Sequence, residues 1–587
     1  MPELSPQAAE FTNATFARIF SDIAAMVELK GESPFKSRAY RAAADTFANL
    51  PEDLRQVWRE GRVDDLPGVG KAITEKVDEL MTTGNLRFYD RLRAEIPPSL
   101  LTLTQIPHVG PKTAMLIHQR LSIETIDDLE KALDDGRILT VPGVGEKSIA
   151  IIRTGIETIR KRSAEKRELI GIALPVLRQI IALLKKNCPG LQEVEVAGSA
   201  RRWKPTVGDV DILATATDPY KVINCFVTLP MVDSIDSQGE NKATVRLNNG
   251  LQVDLYVLQP RFYVPLLHHF TGSKQHSIKL RDRAIRMGYK LNEYGLHRAN
   301  GEYVETPTEA DIYKVLGLRW MPPELREDRG EIEAAEQDRL PNLVEMDGIK
   351  GDLHCHTNWS DGTMSILDMA QAARSRGYQY VAITDHSKGL TVANGLTIER
   401  LRQQREEIEA AQNIIGDSFR ILHGTEMEIK LDGTLDYPDE VLAWLDIVVA
   451  SIHSGLRQPG EQVTQRALNA IRNPNVDILG HPTGRLLNQR EPSAMDVSVV
   501  IREAARTGTA LEINAAPERL DLDDIYIKEA VDEGCTFSID TDAHSIGNYD
   551  LMEYGVHMAR RGWASADNIL TTWPLEKLEA WLQKRGK

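Results

Sequence analysis

The 587-residue sequence has few cysteines, no long apolar run and no recognisable leader. Its four cysteines are widely separated and form no Cys-x-x-Cys pair, so we expect neither a disulfide framework nor a thiolate zinc site. The longest apolar stretch, near residues 169–184, contains Pro175 and Arg178 and is not expected to span a bilayer. The first five residues (MPELS) begin neither a basic segment nor an apolar core, which makes the cytoplasm the expected location.

The sequence also lacks an excess of positive charge, because 86 acidic residues outnumber 70 basic ones and the formal net charge is −16. Over the whole chain this argues against a nucleic-acid-binding protein, since phosphate contacts require clustered lysine and arginine. The charge is unevenly distributed, however: +4 over residues 1–300, −6 over residues 301–340 and −14 over residues 341–587. The N-terminal half therefore remains a candidate for contacts with nucleic acid.

What is present is the composition of a folded protein, with 42% hydrophobic and 27% charged residues. At about 150 residues per domain, the length predicts roughly four domains. Apolar residues at helical spacing predict helices up to about residue 168, and short β-branched runs predict an α/β region after it. Residues 321–347, rich in proline and charge, are predicted to be a linker, and strands alternate with helices beyond them.

One short pattern occurs three times in the helical region, at residues 66–71 (LPGVGK), 106–112 (IPHVGPK) and 141–147 (VPGVGEK). It is typical of the helix-hairpin-helix turn, whose backbone N–H groups converge on a phosphate oxygen at a helix start. One copy would equally suit a plain turn, whereas three copies favour sequence-independent DNA binding. His108 replaces a glycine in the middle copy, so we expect a strained turn or lost phosphate binding there. The candidate DNA-contacting residues are Gly68, Gly70, Val109, Gly110, Gly143 and Gly145.

Three carboxylates occupy strand positions in the α/β region. Asp209 and Asp211 are two residues apart and project from one face of a strand, while Asp254 interrupts an apolar strand further along. Such carboxylates hold Mg²⁺ or Mn²⁺ while substrate phosphates complete the coordination. Ser199 and Arg202, in the upstream GSARR motif, are candidate donors to a triphosphate. An isolated Asp-x-Asp is often a surface turn, but the combination predicts a metal-dependent phosphoryl-transfer site.

These motifs resemble those of DNA polymerase family X, over about residues 8–318. The resemblance implies that Asp209, Asp211 and Asp254 are the catalytic metal ligands, and that Lys76 is the family's Schiff-base lysine for removing 5′-deoxyribose phosphate. The sequence has Pro205, His269 and Ser277 where the family often has Glu, Tyr and Asn, and these departures concern sugar discrimination and nucleotide affinity. The nucleotide-binding positions implied by the resemblance are Ser199, Arg202, Gly208, His269, Phe270, Gly272, Ser277 and Arg281.

In the C-terminal region, one predicted strand after another ends in a histidine or an acid. Side chains at the C-terminal ends of successive parallel strands converge on one mouth, as in α/β barrels. For one histidine alone a structural role is the ordinary explanation, as we expect for His423 and His557. Nine candidates exceed the needs of one ion, and mixed nitrogen and oxygen ligands predict two or three of Mn²⁺, Zn²⁺ or Fe. The nine are His354, His356, Asp361, His386, Glu426, His453, His481, Asp542 and His544.

This ligand pattern resembles that of the PHP domain, named for polymerase and histidinol phosphatase, and fills all nine of that family's ligand positions. The resemblance implies a distorted seven-stranded barrel that binds three metals and hydrolyses phosphoesters. Bacterial and archaeal family X polymerases often carry this domain at the C-terminus, where it acts as a Mn²⁺-dependent 3′→5′ exonuclease, cleans 3′ ends and cleaves abasic sites. Arg485 is a candidate guide for the DNA phosphate, with a surface salt bridge as the alternative.

Together these resemblances predict a multidomain fold. It combines an all-α helix-hairpin-helix region, an α/β nucleotidyltransferase palm with a small thumb, and a C-terminal distorted (βα)7 barrel. The expected segments are an 8-kDa-like helical domain (1–90), fingers with helix-hairpin-helix repeats (91–168), the palm (169–260), the thumb (261–320), a linker (321–347) and the PHP phosphoesterase domain (348–587).

The sequence thus predicts a two-site DNA repair enzyme. A DNA-directed DNA polymerase with Mg²⁺ or Mn²⁺ would fill short gaps, and the PHP domain would remove blocked or mispaired 3′ ends. The expected partners are gapped or nicked double-stranded DNA and dNTPs, with no membrane; the chain is expected to be a monomer in the prokaryotic cytoplasm, associated with the nucleoid. The alternatives are a vestigial polymerase that serves as a DNA-binding platform for an active phosphodiesterase, and a non-catalytic scaffold, which the complete ligand sets disfavour.

Overall fold

The computed structural model of the chain describes residues 5, 11, 13–30, 34–48, 50, 54–66, 68–96, 100, 103, 106, 109–121, 123, 126–142, 144–145, 148–149, 151–153, 156, 167–188 and 190–584. The chain divides into two compact units, Met1–Lys166 and Arg167–Lys587. Among the described helices, none is long and apolar enough to cross a membrane.

The first unit is built of helices, as the apolar spacing predicts. Phe20 and Phe47 are fully buried, and their rings meet edge to face with centroids 5.2 Å apart. Aromatic residues on the inner faces of neighbouring helices thus form the centre of its core. The described helices are Asn13–Leu29, Pro34–Ala48, Leu54–Arg59, Lys71–Thr83, Arg87–Glu95, Pro111–Leu121 and Ile126–Asp134, with 3₁₀ turns at Val63–Asp65 and Arg137–Thr140.

The first part of the second unit contains a five-stranded sheet and a small two-stranded sheet. The strands are β1 (Glu168–Leu169), β2 (Leu191–Val196), β3 (Thr206–Val207), β4 (Val210–Ala216), β5 (Val232–Gln238), β6 (Lys242–Leu247) and β7 (Gln252–Leu258). The small sheet is formed by β1 and β3. The large sheet has the order β2-β4-β7-β6-β5, in which only β4 and β7 are parallel. This arrangement places β4 and β7 side by side in the sheet. The helices are Ile170–Asn187, Gly198–Arg201 and Pro219–Val227.

A smaller α/β lobe follows the sheet. Its antiparallel strands β8 (Tyr289–Asn292), β9 (Gly295–Arg298) and β10 (Tyr303–Val304) have the order β10-β9-β8. Its buried apolar side chains form a core separate from that of the large sheet. The helices of this lobe are Tyr263–Thr271, Lys274–Arg286 and Glu309–Val315, after a 3₁₀ turn at Pro260–Phe262.

Residues 321–347, predicted to be a linker, are instead folded against the rest of the unit. The buried Glu324 pairs with Arg560 at 2.7 Å, and the fully buried Arg326 pairs with Glu309 at 2.6 Å. The charges that make this segment resemble a solvated linker are therefore members of internal ion pairs. Its elements are two 3₁₀ turns and a short helix, Pro323–Leu325, Met346–Gly348 and Glu331–Glu336.

The rest of the unit is a nearly closed parallel barrel, as predicted. Its strands are β11 (Gly351–Cys355), β12 (Tyr380–Ile383), β13 (Arg420–Glu428), β14 (Ile447–Ser451), β15 (Ile478–Leu479), β16 (Ala510–Asn514) and β17 (Phe537–Asp540), paired in chain order. A parallel bridge between Cys355 and Ala543 brings the end of the last strand to the first. The helices are Ile366–Ser375, Ile398–Ile415, Asp439–Leu442, Gly460–Arg472, Val497–Thr507, Asp524–Asp532, Met552–Arg561 and Leu575–Lys584. The 3₁₀ turns are Thr391–Ala393, Ile546–Leu551, Ala566–Asn568 and Leu570–Thr572.

One sequence prediction about cysteine is wrong. Cys188 and Cys225 form a disulfide, with Cα atoms 6.4 Å apart. Cys188 follows helix Ile170–Asn187 directly and Cys225 lies in helix Pro219–Val227, and both helices contribute to the same core. Because the two cysteines are 37 residues apart in the chain, their pairing has no local sequence signature.

Gly351, the first residue of β11, has no room for a side chain. An added Cβ would lie 2.2 Å from the ring of Tyr380 and 2.7 Å from its carbonyl oxygen. We therefore expect Gly351→Ala to lower the free energy of unfolding by about 1–3 kcal/mol through overpacking. Thermal unfolding followed by calorimetry measures this as a lower Tm. Gly348→Ala is the matched control, since a Cβ there meets nothing within 4 Å, and equal melting of the two variants would contradict the prediction.

Candidate metal centres

The nine residues predicted as metal ligands lie together at the C-terminal mouth of the barrel. Glu426, near the end of β13, is central to them: its carboxylate oxygens lie 2.8 Å from His386 Nδ1, 2.9 Å from His481 Nε2 and 3.1 Å from His453 Nε2. The side chains form three groups, and within each group one potential ligand atom per residue lies within 4.8 Å of the others. The groups are His356, Asp361, His386 and His544; His354, His356 and Asp542; and His386, Glu426 and His453.

The side chains at this mouth fit divalent cations. Both ring nitrogens of His356 are buried. Within residues 190–584, a stretch that the structure describes without gaps, neither nitrogen has a hydrogen-bond partner. Asp542 Oδ1 nevertheless lies 3.1 Å from His356 Nε2, and Glu426 Oε2 lies 3.5 Å from it. Imidazole nitrogens and carboxylate oxygens that converge in this way supply the mixed ligand set typical of Mn²⁺, Zn²⁺ or Fe sites.

The charges of this cluster are balanced among its own members. Burial, with the neighbouring His544 and His386, lowers the pKa of His356 to about 3. Burial opposes protonation of His386, but the Glu426 carboxylate outweighs it and raises the pKa to about 10. Burial is likewise outweighed at His453, where Glu426 raises the pKa to about 9. Protons on these histidines thus neutralise the buried carboxylates, and cation binding requires their release.

Two acids that the sequence analysis did not single out hold ligand histidines in place. Glu512 Oε1 lies 2.6 Å from His354 Nδ1, and Glu428 Oε2 lies 2.8 Å from His453 Nδ1. Both acids are buried. A carboxylate on one ring nitrogen fixes the tautomer and orients the other nitrogen towards the metal. The sequence signal was present, because Glu512 lies between apolar residues of β16 and Glu428 follows Glu426 by two residues in β13.

Arg485 does not serve as a guide for phosphate in this structure. The side chain is buried; its Nε donates to the carbonyl oxygen of Arg519 at 2.9 Å, and its two arms bind Asp523 and the carbonyl oxygen of Leu520. The alternative of a salt bridge is therefore confirmed, but the side chain is buried rather than at the surface, and it holds the loop after β16.

In the five-stranded sheet, Asp211 and Asp254 lie directly opposite each other on the parallel strands β4 and β7. Burial and the negative charge of Asp254 raise the pKa of Asp211 to about 6. Asp254 Oδ1 is buried without a hydrogen-bond partner in the fully described stretch 190–584, while its Oδ2 lies 2.6 Å from Lys242 Nζ. Asp209 is exposed just before β4. Repelling carboxylates with an unpartnered oxygen fit a hard cation such as Mg²⁺.

The GSARR motif turns the chain beside these carboxylates. Gly198 has φ +62°, and an added Cβ would lie 3.1 Å from Asp211 Oδ2, so a glycine is required for this close approach. Ser199 lies in the short helix Gly198–Arg201 that begins there, and Gly208 immediately precedes the exposed Asp209. The structure therefore brings these motif residues to the same end of β4.

Arg202 is held away from solvent by residues beyond its own motif. Its Nη1 donates to the carbonyl oxygen of Thr271 at 2.5 Å, and its Nε donates to Glu327 at 3.0 Å. An added Cβ on Gly272 would lie 3.1 Å from the same Nη1. The structure thus joins Arg202 to Gly272, two predicted nucleotide-binding residues, and adds a carboxylate partner that the sequence analysis did not anticipate.

The other predicted nucleotide-binding residues lie on the two helices of the small lobe. The Phe270 ring is 4.7 Å from the ring of Tyr256, which follows Asp254 by two residues on β7. His269 is half-buried, and burial lowers its pKa, so the imidazole is neutral. On the second helix, Arg281 Nε donates to the carbonyl oxygen of Ser277 at 3.2 Å. Phe270 is thus placed beside the carboxylate strand, whereas Arg281 binds the backbone of Ser277 on its own helix.

The three predicted turns share one hydrogen-bond pattern. In each, the valine N–H donates to the carbonyl oxygen of the apolar residue three positions earlier, at 3.1 Å, 2.9 Å and 3.1 Å: Val69 to Leu66, Val109 to Ile106 and Val144 to Val141. Gly68 has φ +73°, and His108 and Gly143 lie outside the described residues. A Cβ would meet nothing within 4 Å at the glycine after each valine, so a phosphate has room to approach at Gly70, Gly110 and Gly145.

Lys76 lies on the helix that the first turn opens, Lys71–Thr83. Its Nζ is 5.7 Å from the ring centroid of Tyr40 and 5.1 Å from that of Phe88. Burial lowers the pKa of its ammonium group. A lowered pKa favours the neutral amine that Schiff-base formation requires, so the surroundings of Lys76 suit the predicted lyase role, which stays a prediction.

Four protein-family models match parts of the chain. A helix-hairpin-helix domain matches residues 11–86, a SAM-like helix-hairpin-helix tandem residues 100–160, the DNA polymerase beta thumb residues 266–327, and the PHP domain residues 352–516. The arrangement defines a two-site enzyme, in which a metal-dependent nucleotidyltransferase is joined to a metal-dependent phosphoesterase.

Curated proteins match the whole chain or one of its halves. The DNA polymerase/3′-5′ exonuclease PolX of Bacillus subtilis (strain 168) is 39% identical over 570 residues, 97% of this chain and 98% of that protein. A probable phosphatase of Thermoanaerobacter sp. (strain X514) is 28% identical over 40% of this chain and 95% of its own length. DNA polymerase lambda of Rattus norvegicus is 28% identical over 45% of this chain and 48% of its own length. The chain belongs to the family X DNA polymerases that carry a C-terminal PHP domain.

Metal binding at the barrel mouth should release protons, because His386 and His453 have raised pKa values of about 10 and 9. At pH 7.5 both are protonated, and a cation takes up the nitrogen lone pairs only when the protons leave. Calorimetric titration of the full chain with Mn²⁺, in two buffers of different ionisation enthalpy, should give at least about one proton per ion. The release should fall towards zero above pH 10, and heats independent of the buffer at pH 7.5 would contradict it.

Glu512→Gln should weaken metal binding at the barrel without removing a ligand. The amide keeps the shape of the side chain but no longer carries the charge that orients His354, so we expect a loss of about 10- to 100-fold in Mn²⁺ affinity. Equilibrium dialysis with metal analysis measures this directly. Glu518→Gln, at an exposed position six residues further on, is the control, and equal affinity of the two variants would refute the role of Glu512.

Proposed function

We propose that this chain fills short gaps in double-stranded DNA and processes the 3′ ends of the same substrates with its barrel. One observation carries the proposal. A single compact unit contains the in-register pair Asp211 and Asp254 and, in the barrel, a cluster of nine histidine and carboxylate side chains that could hold metal ions. A synthetic site and a hydrolytic site in one unit suit the repair of damaged or mispaired ends.

At the polymerase site, Asp209, Asp211 and Asp254 would hold two Mg²⁺ or Mn²⁺ ions. Bound there, the ions stabilise both the attacking and the leaving oxygen of an in-line displacement. The protein residues position the reactants: Asp254 orients the primer 3′-hydroxyl, and backbone, hydroxyl and guanidinium donors hold the triphosphate. These donors are Ser199, Arg202 and Gly208.

The incoming sugar and base would contact the small lobe. Phe270 lies against Tyr256 beside β7, and the peptide after Gly272 begins the helix that carries Ser277 and Arg281. His269 is neutral, since burial lowers its pKa, and can donate or accept one hydrogen bond at the sugar. Sugar selection therefore depends on an imidazole in this chain.

At the barrel, the nine ligands would hold two or three of Mn²⁺, Zn²⁺ or Fe. Such ions supply a hydroxide nucleophile and neutralise charge on a phosphodiester. The protein orients the ligand nitrogens, through Glu512 at His354 and Glu428 at His453. The activities we assign are 3′→5′ exonuclease, 3′-end cleaning and cleavage at abasic sites.

The helical unit would grip gapped or nicked DNA. Open backbone at Gly70, Gly110 and Gly145 suits phosphate contacts that ignore base identity. Such contacts use backbone N–H groups, so they need little net positive charge. We assign the chain, as a monomer, to the cytoplasm at the nucleoid, with Lys76 as the residue for removal of 5′-deoxyribose phosphate.

Two variants separate the sites. In assays on one-nucleotide-gapped DNA with dNTPs and Mg²⁺ or Mn²⁺, Asp209→Ala should reduce extension and spare 3′ degradation, while His354→Ala should do the reverse. Each loss should exceed about 100-fold, since removing a metal ligand costs more than the 10- to 100-fold typical of an outer contact. Asp233→Ala, an exposed position on β5, is the control.

The same assay decides between the proposal and its alternative. Extension that survives Asp209→Ala would contradict the assignment of the polymerase site. A wild-type chain that degrades 3′ ends but does not extend them would support the alternative, a vestigial polymerase that serves as a DNA-binding platform.

A further inference from the structure

A barrel helix holds the residues that end the GSARR motif. His557 and Arg561 are four residues apart on helix Met552–Arg561 and so share one face. The ring of His557 stacks on the indole of Trp203 with centroids 3.6 Å apart. Arg561 Nη1 donates to the carbonyl oxygen of Arg202 at 2.6 Å. The barrel thus fixes both the backbone of Arg202 and the side chain of the residue after it.

Arg561 also shares a carboxylate with Arg202. Glu327 Oε1 accepts a hydrogen bond of 3.0 Å from Arg202 Nε and another of 3.0 Å from Arg561 Nη1. The second arm of Arg561, Nη2, binds the carboxylate of Asp524. Arg561 is 1% exposed and Arg202 9%, so the pairs are shielded from water. Burial would raise the pKa of Glu327, but the charges of Arg561 and Arg202 outweigh it, and the carboxylate is ionised.

We propose that Arg561 of the barrel is a positioning residue for nucleotide binding at the polymerase site, acting through Arg202. The inference rests on the proposed function, in which Arg202 contacts the triphosphate. Glu327 and a phosphate compete for the guanidinium of Arg202. By sharing Glu327, Arg561 weakens the hold of this carboxylate on Arg202, and by binding the Arg202 carbonyl oxygen it fixes the side chain beside Gly272.

The geometry requires an arginine at this position. Arg561 Nη1 donates to the Arg202 carbonyl oxygen and to Glu327, while Nη2 donates to Asp524. A lysine ammonium is a compact point charge and does not reproduce this fork. The barrel therefore contributes to the polymerase site through Arg202.

The neighbouring Arg560 provides a matched control. It is also buried, lies on the same helix, and binds Glu324, Glu345 and the carbonyl oxygen of Val344. None of these contacts includes Arg202 or Glu327, both within the stretch 190–584 that the structure describes. Substitution of either Arg560 or Arg561 thus removes a buried charge at this interface, whereas only substitution of Arg561 removes the link to Arg202.

The test is single-turnover filling of a one-nucleotide gap by the full chain, with dNTP concentration varied. Arg561→Gln should raise the apparent Kd for dNTP roughly tenfold, the size of one charge-assisted hydrogen bond, and leave the maximal rate within about twofold. Arg560→Gln should leave both quantities within about twofold. The 3′ degradation of single-stranded DNA should be unchanged in both variants.

A double variant tests whether the effect passes through Arg202. If it does, Arg561→Gln should add less than about twofold to the apparent Kd in an Arg202→Lys background, because coupled changes are not additive. A full tenfold addition there, an unchanged Kd in Arg561→Gln, or an equal rise in Arg560→Gln would each overturn the proposal. If Arg561→Gln loses 3′ degradation through misfolding, Arg561→Lys replaces it in the same comparison.

Failure of the proposed function gives a different result. A wild-type chain without gap filling contradicts the polymerase assignment, and an Arg202→Lys chain with wild-type dNTP affinity contradicts the role of Arg202. Gap filling that depends on Arg202 but not on Arg561 contradicts only the inference about the barrel.

Discussion

Buried charge has to be compensated, and the second unit of this protein is arranged around that constraint. Glu426 is only 1% exposed, and an isolated carboxylate at such a site would cost several kcal/mol. Instead it is surrounded by imidazoles, and its charge raises the pKa of two of them, His386 and His453, so that their protons supply its counter-charge. Six of the seven parallel strands bring a candidate ligand to the same mouth, so the topology itself produces the compensation. A divalent cation there replaces protons rather than entering an uncharged cavity.

The same constraint has a different solution in the five-stranded sheet. Asp211 and Asp254 face each other with no histidine between them, and the raised pKa of Asp211, about 6, reflects burial and the charge of its neighbour. Lys242 supplies a single cation from one side. Oxygen ligands alone favour hard ions such as Mg²⁺, while the imidazoles of the barrel favour Mn²⁺, Zn²⁺ or Fe. We therefore expect the two sites to differ in metal preference, because their candidate ligands differ.

Much of the fold and of both sites could be predicted from sequence, because their signals are local. A histidine or an acid at the end of each strand, as at His386 and His453, indicates a barrel mouth without knowledge of the strand order. What escaped prediction depends on distant pairs. Cys188 and Cys225 give no sign of their disulfide, and residues 321–347 resemble a linker until their charges are seen paired. Glu512 is a different case, because an acid between apolar residues of β16 is a local signal that the sequence analysis did not use.

The contact between barrel and palm is the extreme case of such a distant pair. Arg561 and Arg202 are separated by 359 residues, and Arg202 and Glu327 by 125, so the motif alone marks Arg202 as a triphosphate ligand without showing what else holds it. In a fragment that ends at residue 347, Trp203 would lose its stacking partner and Glu327 would keep one guanidinium instead of two. The carboxylate would then bind Arg202 more strongly. Under our proposal the polymerase half is therefore not a self-sufficient module, because the barrel residue Arg561 completes the charge balance around Arg202.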